Sequence, residues 1–141
     1  MGARMLLDQL TEAELWNGKH VVWQNGEYFI AVDDPTDATY VTLCTVDNKR
    51  VGSLATRTHP TPEPYLGVSY IEIDKKHRNQ GLGRQMYRAL ISHLGSQWKG
   101  ISSYFPDRSN KQQVPDIWRK LGAYSPVDNL DYAFIDRTIS E

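Results

Sequence analysis

Residues 75–88 read KKHRNQGLGRQMYR and gather five cations, Lys75, Lys76, Arg78, Arg84 and Arg88, around two glycines, Gly81 and Gly83. A glycine lacks the Cβ that would hold an anion away from main-chain N–H groups. The first N–H groups of a helix have no intrahelical partner and carry partial positive charge. A helix opening at these glycines would therefore make a cradle for a pyrophosphate, with mobile cations around it. The same residues also suit two plainer roles, a tight turn and a solvated basic face. Two nucleotide motifs fail on residues. A dinucleotide fingerprint needs a third glycine where Met86 stands and an acidic residue about 20 positions on, where Gly100 lies. A P-loop needs Gly-Lys-Ser/Thr, and Gly83 is followed by Arg84 and Gln85.

The elements that must position this loop follow from periodicity and turn residues. Thr11 and Glu14 form a capping-box pattern for a short helix that Asn17-Gly18 would end. Asn25-Gly26 between two β-rich runs predicts a hairpin, and a second hairpin is expected to turn on Asp47 to Lys49. The proline-rich residues 59–64 are a loop ahead of a strand over 65–74. After the glycines, Met86, Leu90 and Leu94, with Tyr87 and Ile91 beside them, give the apolar face of a helix stopped by Gly95. A strand over 100–105 follows. A helix through Val114, Ile117, Trp118 and Leu121, ended by Gly122 and with Pro115 near its start, comes next, and a last strand spans 131–137. The order predicts a mixed α/β sheet with helices packed on it.

The whole chain narrows the classes of function. Its 141 residues suit one domain, and 16 Lys+Arg against 17 Asp+Glu leave a net charge of -1. The broad positive field of a non-specific nucleic-acid binder is missing, so no nucleic-acid partner is expected. The first residues resemble neither a signal peptide nor a membrane span, so a cytoplasmic protein without a membrane partner is expected. The single cysteine, Cys44, lies in the apolar run YVTLCTV and reads as a buried strand residue. No metal site is expected.

With the loop placed between a strand and a helix, the sequence resembles the GNAT superfamily of acyl-CoA-dependent N-acyltransferases. The motif Arg/Gln-x-x-Gly-x-Gly/Ala after an apolar-x-apolar strand end is matched by Arg78-Asn79-Gln80-Gly81-Leu82-Gly83 after Ile71-Glu72-Ile73. Downstream, SNKQQVPDIWRKLGAY is similar to the family segment in which an Asn leads into a helix ending in aromatic-x-x-Leu-Gly. The resemblance covers residues 40–137 and is weak before residue 40, where one short helix and an Asn-Gly hairpin stand in place of the family's usual strand and two helices. It implies a single GNAT-like domain over 1–141, with an atypical region at 1–39 and an acyl-CoA-binding core at 40–137, built on a mostly antiparallel sheet.

The resemblance also implies roles. Acyl-CoA, with acetyl-CoA as the expected donor, would lay its pyrophosphate on the N–H groups of Arg78, Asn79, Gln80, Gly81, Leu82, Gly83 and Arg84. Its pantetheine arm would bond the backbone of Ile71, Glu72 and Ile73, and Asn110 would be the family's Asn. The acetyl group would pass to a primary amine on an unknown small molecule or protein. Family members often protonate the leaving thiolate with a tyrosine at the position of Trp118, which is placed here in the cofactor-binding set because indole does not titrate usefully. Two substitutes stand as catalytic candidates. Tyr104 lies on the strand expected to splay from residues 66–74, and Glu72 is the lone carboxylate in an apolar strand, where burial would favour a general base. The bland readings are an ordinary sheet aromatic and an exposed strand face. The alternative function is a CoA-binding or structural module of this fold without turnover. A single-stranded nucleic-acid binder is a weaker alternative.

Overall fold

The structure, a computed structural model, describes residues 19–59, 61–104, 116–125 and 132–137. Among these, seven strands form one sheet whose order in space is their order in the chain. Strand β1 (His20–Gln24) turns at Asn25-Gly26 into β2 (Tyr28–Val32). The Asn25 Oδ1 accepts the N–H groups of Glu27 and Tyr28, and Gly26 takes φ 93°, a left-handed value that a Cβ would oppose. Strands β3 (Tyr40–Thr45) and β4 (Arg50–Arg57) are joined by the expected second hairpin. In that turn Asn48 adopts φ 74° and the Thr45 N–H donates to the Lys49 carbonyl.

Strand β5 (Tyr65–Ile73) pairs with β4 antiparallel and with β6 (Gly100–Tyr104) parallel, and β6 pairs antiparallel with β7 (Tyr132–Asp136). A parallel neighbour requires a crossover, and it includes helix α1 (Leu82–Ser92). This helix ends before Leu94, which the periodicity had included. His93 leaves helical geometry while Leu94 stays buried beyond it. A short 3-10 turn over Lys75–His77, which the sequence did not signal, tightens the chain between β5 and the glycines. Helix α2 (Asp116–Lys120) is followed by Gly122 at φ 89°, as expected of a helix-ending glycine. Thr11, Glu14, Asn110, Val114 and Pro115 lie outside the described residues.

Alternation along the strands divides the sheet's two faces. Ile30, Val41, Leu43, Leu54, Leu66 and Ile101 meet the apolar face of α1, led by Met86 and Leu90, in the main core. Phe29, Ala31 and Cys44 form a smaller cluster with Val21 and Val46. Burial there raises the Cys44 thiol to about 12, in keeping with a packed strand residue. Arg137 ties the end of the sheet to the chain beyond α1. Its guanidinium donates to the carbonyls of Leu94, Gly95 and Trp98 at 3.0, 3.0 and 2.8 Å.

The feature that opens a site lies in β5. Ala55 pairs with Tyr70 and Thr56 with Val68, so Ser69 is an extra residue in β5, a bulge that bends the strand and increases its twist. Pairing with β6 covers Tyr65, Leu66 and Gly67 and stops just before this bulge. From Val68 to Ile73 the edge of β5 facing β6 pairs with no strand among the described residues.

Candidate active site

Hydrogen-bonding direction alternates along an antiparallel strand. The Asp74 N–H donates to the Val51 carbonyl, so the backbone groups of Ile71 and Ile73 face the opened edge. One is already used, because Arg78 Nε donates to the Ile73 carbonyl at 2.7 Å. The loop is also tied to β2. The Tyr28 hydroxyl lies 2.7 Å from His77 Nδ1 and accepts from Gln80 Nε2 at 3.2 Å.

Between these ties the backbone turns at Asn79 and Gly81, with φ of 64° and 78°. Gly81 stands at the start of α1, and among the described residues no side chain caps the helix there. Among the described residues a Cβ at Gly81 would meet nothing within 4 Å, so there is open space beside the start of the helix. Gly83 differs, since its Cβ would come 3.1 Å from Ile117 Cδ1 and 3.7 Å from Ile73 Cδ1. The first glycine supplies a turn, and the second lets α1 and α2 close on the strand edge.

These elements enclose a groove of about 570 Å³, with Arg78, Arg84 and Lys120 at its polar wall and Ile71, Ile73 and Ile117 at its apolar one. A second cleft of about 230 Å³ fills the gap between β5 and β6, lined by Val68, Ser69, Tyr70, Ser103 and Trp118. The two share Ile71, Tyr87 and Ile117 as common walls. A third depression of about 370 Å³, with Lys49, Lys75, Lys76 and Arg78 but also Glu72 and Asp74 along it, adjoins the loop.

Most sequence-selected residues come together. Ile71, Glu72, Ile73, Arg78, Asn79, Gly81, Leu82, Gly83 and Arg84 line the groove. Gln80 does not, since its amide turns to Tyr28. Trp118 is 2% exposed and lines the smaller cleft rather than the groove. Glu72 is exposed, without the apolar enclosure that its strand neighbours suggested. The cause is strand alternation, which puts Glu72 with Tyr70 on an exposed face of β5 while Ile71 and Ile73 are half-buried. Tyr104 is 49% exposed at the end of β6, its ring 5.2 Å from that of Tyr132, and it is not among the described residues lining either cavity.

Sequence reasoning missed Tyr87, His77, Ile117 and Lys120 as site residues. Tyr87 had been counted only beside a core face, although its position one turn beyond Gly83 was a signal that it reaches the groove. It is 3% exposed and meets Trp118 edge-on, with ring centroids 5.4 Å apart. Burial raises its hydroxyl above the ordinary tyrosine value, opposed by a hydrogen bond that the Trp118 indole N–H donates to it. On the other face, near Glu72, Lys19 lies 4.4 Å over the Tyr40 ring and donates to Thr42 Oγ1 at 3.0 Å. The Tyr40 hydroxyl ionises more readily than usual, chiefly through a hydrogen bond from Ser53, with Tyr70 also bonded to it.

Among the described residues no group of three or more His, Cys, Asp or Glu side chains could hold a metal ion, and no helix is long and apolar enough to cross a membrane. No curated protein sequence matches the chain. Among solved structures, the KacTA–DNA complex is similar with TM-score 0.52 at 14% identity, over 95% of this chain and 80% of that one. An AtaT mutant toxin bound to the C-terminus of the antitoxin AtaR and acetyl-CoA has TM-score 0.48 at 15% identity, over 70% and 68%. A ribosomal-protein alanine N-acetyltransferase from Escherichia coli has TM-score 0.45 at 16% identity, over 79% and 68%. The sequence itself matches the acetyltransferase (GNAT) family over residues 5–122, beginning well before residue 40, where the motif resemblance starts. The glycine loop, the opened strand edge and that match together make the chain a member of the GNAT acetyltransferase family.

Proposed function

We propose that the protein binds acetyl-CoA and transfers its acetyl group to a primary amine of a small molecule or a protein. The observation that carries this reading is the adjacency of two cavities: a groove at the start of α1, where no described side chain caps the helix, shares Ile71, Tyr87 and Ile117 with a smaller cleft. A pyrophosphate would use the open space beside Gly81 at the start of α1, in a groove that Arg78 and Arg84 also line. An extended arm fits the free edge of β5, where Ile71 offers an N–H and a carbonyl and Ile73 an N–H. The acetyl end then falls in the cleft between β5 and β6, beside the bulge at Ser69.

Attack by an amine requires the nitrogen to be neutral, the oxyanion to be held, and the departing sulfur to be protonated. Glu72 and the Tyr40–Tyr70 pair are assigned to the strand face from which an acceptor would approach, with Glu72 as the carboxylate that takes a proton through water. Tyr104, at the exposed end of β6, is assigned to the rim where an acceptor is recognised. Asn110 keeps its resemblance-based role beside the donor. Residues 1–141 are read as one domain with the donor-binding core at 40–137. Net charge supports a reading without nucleic acid, while the KacTA complex includes DNA.

A second reading, a CoA-binding module without turnover, is favoured by the buried, non-titrating Trp118, which the sequence resemblance aligns with the family's usual tyrosine. Calorimetry with acetyl-CoA, followed by thiol release over a panel of amines and peptides, separates the two. Binding with no release for any acceptor would favour the module, and absence of binding would sink both.

A further inference from the structure

We infer that Tyr87 is the catalytic acid that protonates the departing sulfur, with the Trp118 indole as the residue that positions it and stabilises its ionised form. The inference rests on the reading of the groove as a donor site. Three residues wall both the groove and the smaller cleft, and a thioester reaching from one into the other would carry its sulfur past them. Ile71 and Ile117 have no side-chain proton to give, which leaves Tyr87.

The surroundings of Tyr87 suit the task. It projects from α1, a helix fixed in the core by Met86 and Leu90, so its ring is held by packing. Like any tyrosine the hydroxyl is protonated at neutral pH, the state an acid needs at the start of the reaction, and burial shifts it further in that direction. Once the proton leaves, the indole N–H already directed at that oxygen stabilises the phenolate. A tyrosine at position 118 would supply an acid of its own. A tryptophan, which donates only, instead makes its neighbour a better one.

The step balances as follows. The amine nitrogen adds to the thioester carbonyl and loses its extra proton to water. The carbonyl re-forms as the C–S bond breaks, and the sulfur departs with the electron pair. The sulfur takes the Tyr87 proton, and the phenolate regains one from water.

The test uses CoA itself, so no acceptor need be known. A hydroxyl that donates to the sulfur stabilises bound thiolate, which ultraviolet absorbance follows during a pH titration. In Tyr87→Phe the bound thiol should ionise about one unit higher than in the wild type, the scale of a hydrogen bond to a charged group. Desulfo-CoA should bind both proteins alike, and single-turnover thiol release should fall about 10²-fold. Equal thiol ionisation in the two proteins would overturn the inference while leaving the donor site intact. Failure of the wild type to bind any CoA would instead overturn the reading of the groove, and the inference with it. Should Tyr87→Phe not melt cooperatively, the wild type decides alone: a bound thiol that ionises no more readily than free CoA overturns the proposal.

Discussion

Arg78 Nε donates to the carbonyl of Ile73 at 2.7 Å, so a cation facing the groove also clasps the end of β5 to the glycine loop. The two roles separate by substitution. Arg78→Lys keeps the charge and loses the planar fork, whereas Arg78→Ala loses both. Calorimetry should show acetyl-CoA binding weakened about tenfold in Arg78→Ala, or about 1.4 kcal/mol, with Arg78→Lys between it and the wild type. Equal affinities for wild type and Arg78→Ala would remove Arg78 from the donor site.

The two glycines should fail in different ways. Gly81→Ala places a side chain at φ 78°, a left-handed conformation that costs about 1–2 kcal/mol, so its melting temperature should drop. Gly83→Val instead pushes into Ile117 and Ile73 where α1 approaches the strand edge. It should lose at least about tenfold in acetyl-CoA affinity with a smaller change in melting. Comparing thermal and calorimetric data for both variants checks the assignment.

The depression lined by Lys49, Lys75, Lys76 and Arg78, with Glu72 and Asp74 also along it, keeps an excess of cations and would take a further phosphate next to the proposed pyrophosphate position. Acetyl-CoA affinity should then fall more steeply with ionic strength than that of acetyl-dephospho-CoA, which lacks the 3′-phosphate. Lys75→Ala combined with Lys76→Ala should bring the two salt slopes together. Parallel slopes in the wild type would put that phosphate in solvent.

At the opposite end of the sheet, the Tyr65 hydroxyl donates to Asp136 Oδ1 at 2.7 Å and lies 2.9 Å from the Tyr124 hydroxyl. Burial first, then these partners, raise Tyr65 well above its ordinary value of 10.0. The unfolded chain thus gives up this proton before the folded one does. The resulting stabilisation is complete below about pH 10 and is lost as pH rises toward the folded value. Tyr65→Phe should be less stable than the wild type at pH 8, and the gap should narrow by pH 11. Denaturant midpoints at the two pH values measure it, and a constant gap would contradict the sign.

Local signals carried most of the fold. Asn25-Gly26, the turn around Asn48 and the Gly122 stop each use a backbone conformation that few residues tolerate, so residue type alone announced them. The glycine loop was legible for the same reason. Long-range geometry was harder to read. Glu72 looked enclosed by its apolar neighbours, but the strand alternates, leaving Tyr70 and Glu72 exposed while Ile71 and Ile73 are half-buried. The bulge at Ser69 is visible only against the register of β4. Tyr87 was hidden because a helix face that fills a core and one that walls a groove have the same periodicity. The end of α1 was overextended because Leu94 is buried by the following loop rather than by the helix.

The match between chain order and sheet order has a kinetic consequence. Strands β1 to β5 form a meander in which each strand closes a short loop onto the one before, whereas β5 meets β6 only after α1 and its flanking loops are brought across. Short loops close with little entropy loss, and distant pairings set the pace of folding. The meander can therefore assemble without β6, but the acyl cleft cannot, since one wall is β5 and the other includes Ser103 on β6. During refolding, recovery of donor binding should lag recovery of the strand signal in circular dichroism, so competence to bind arrives with the last seam to close.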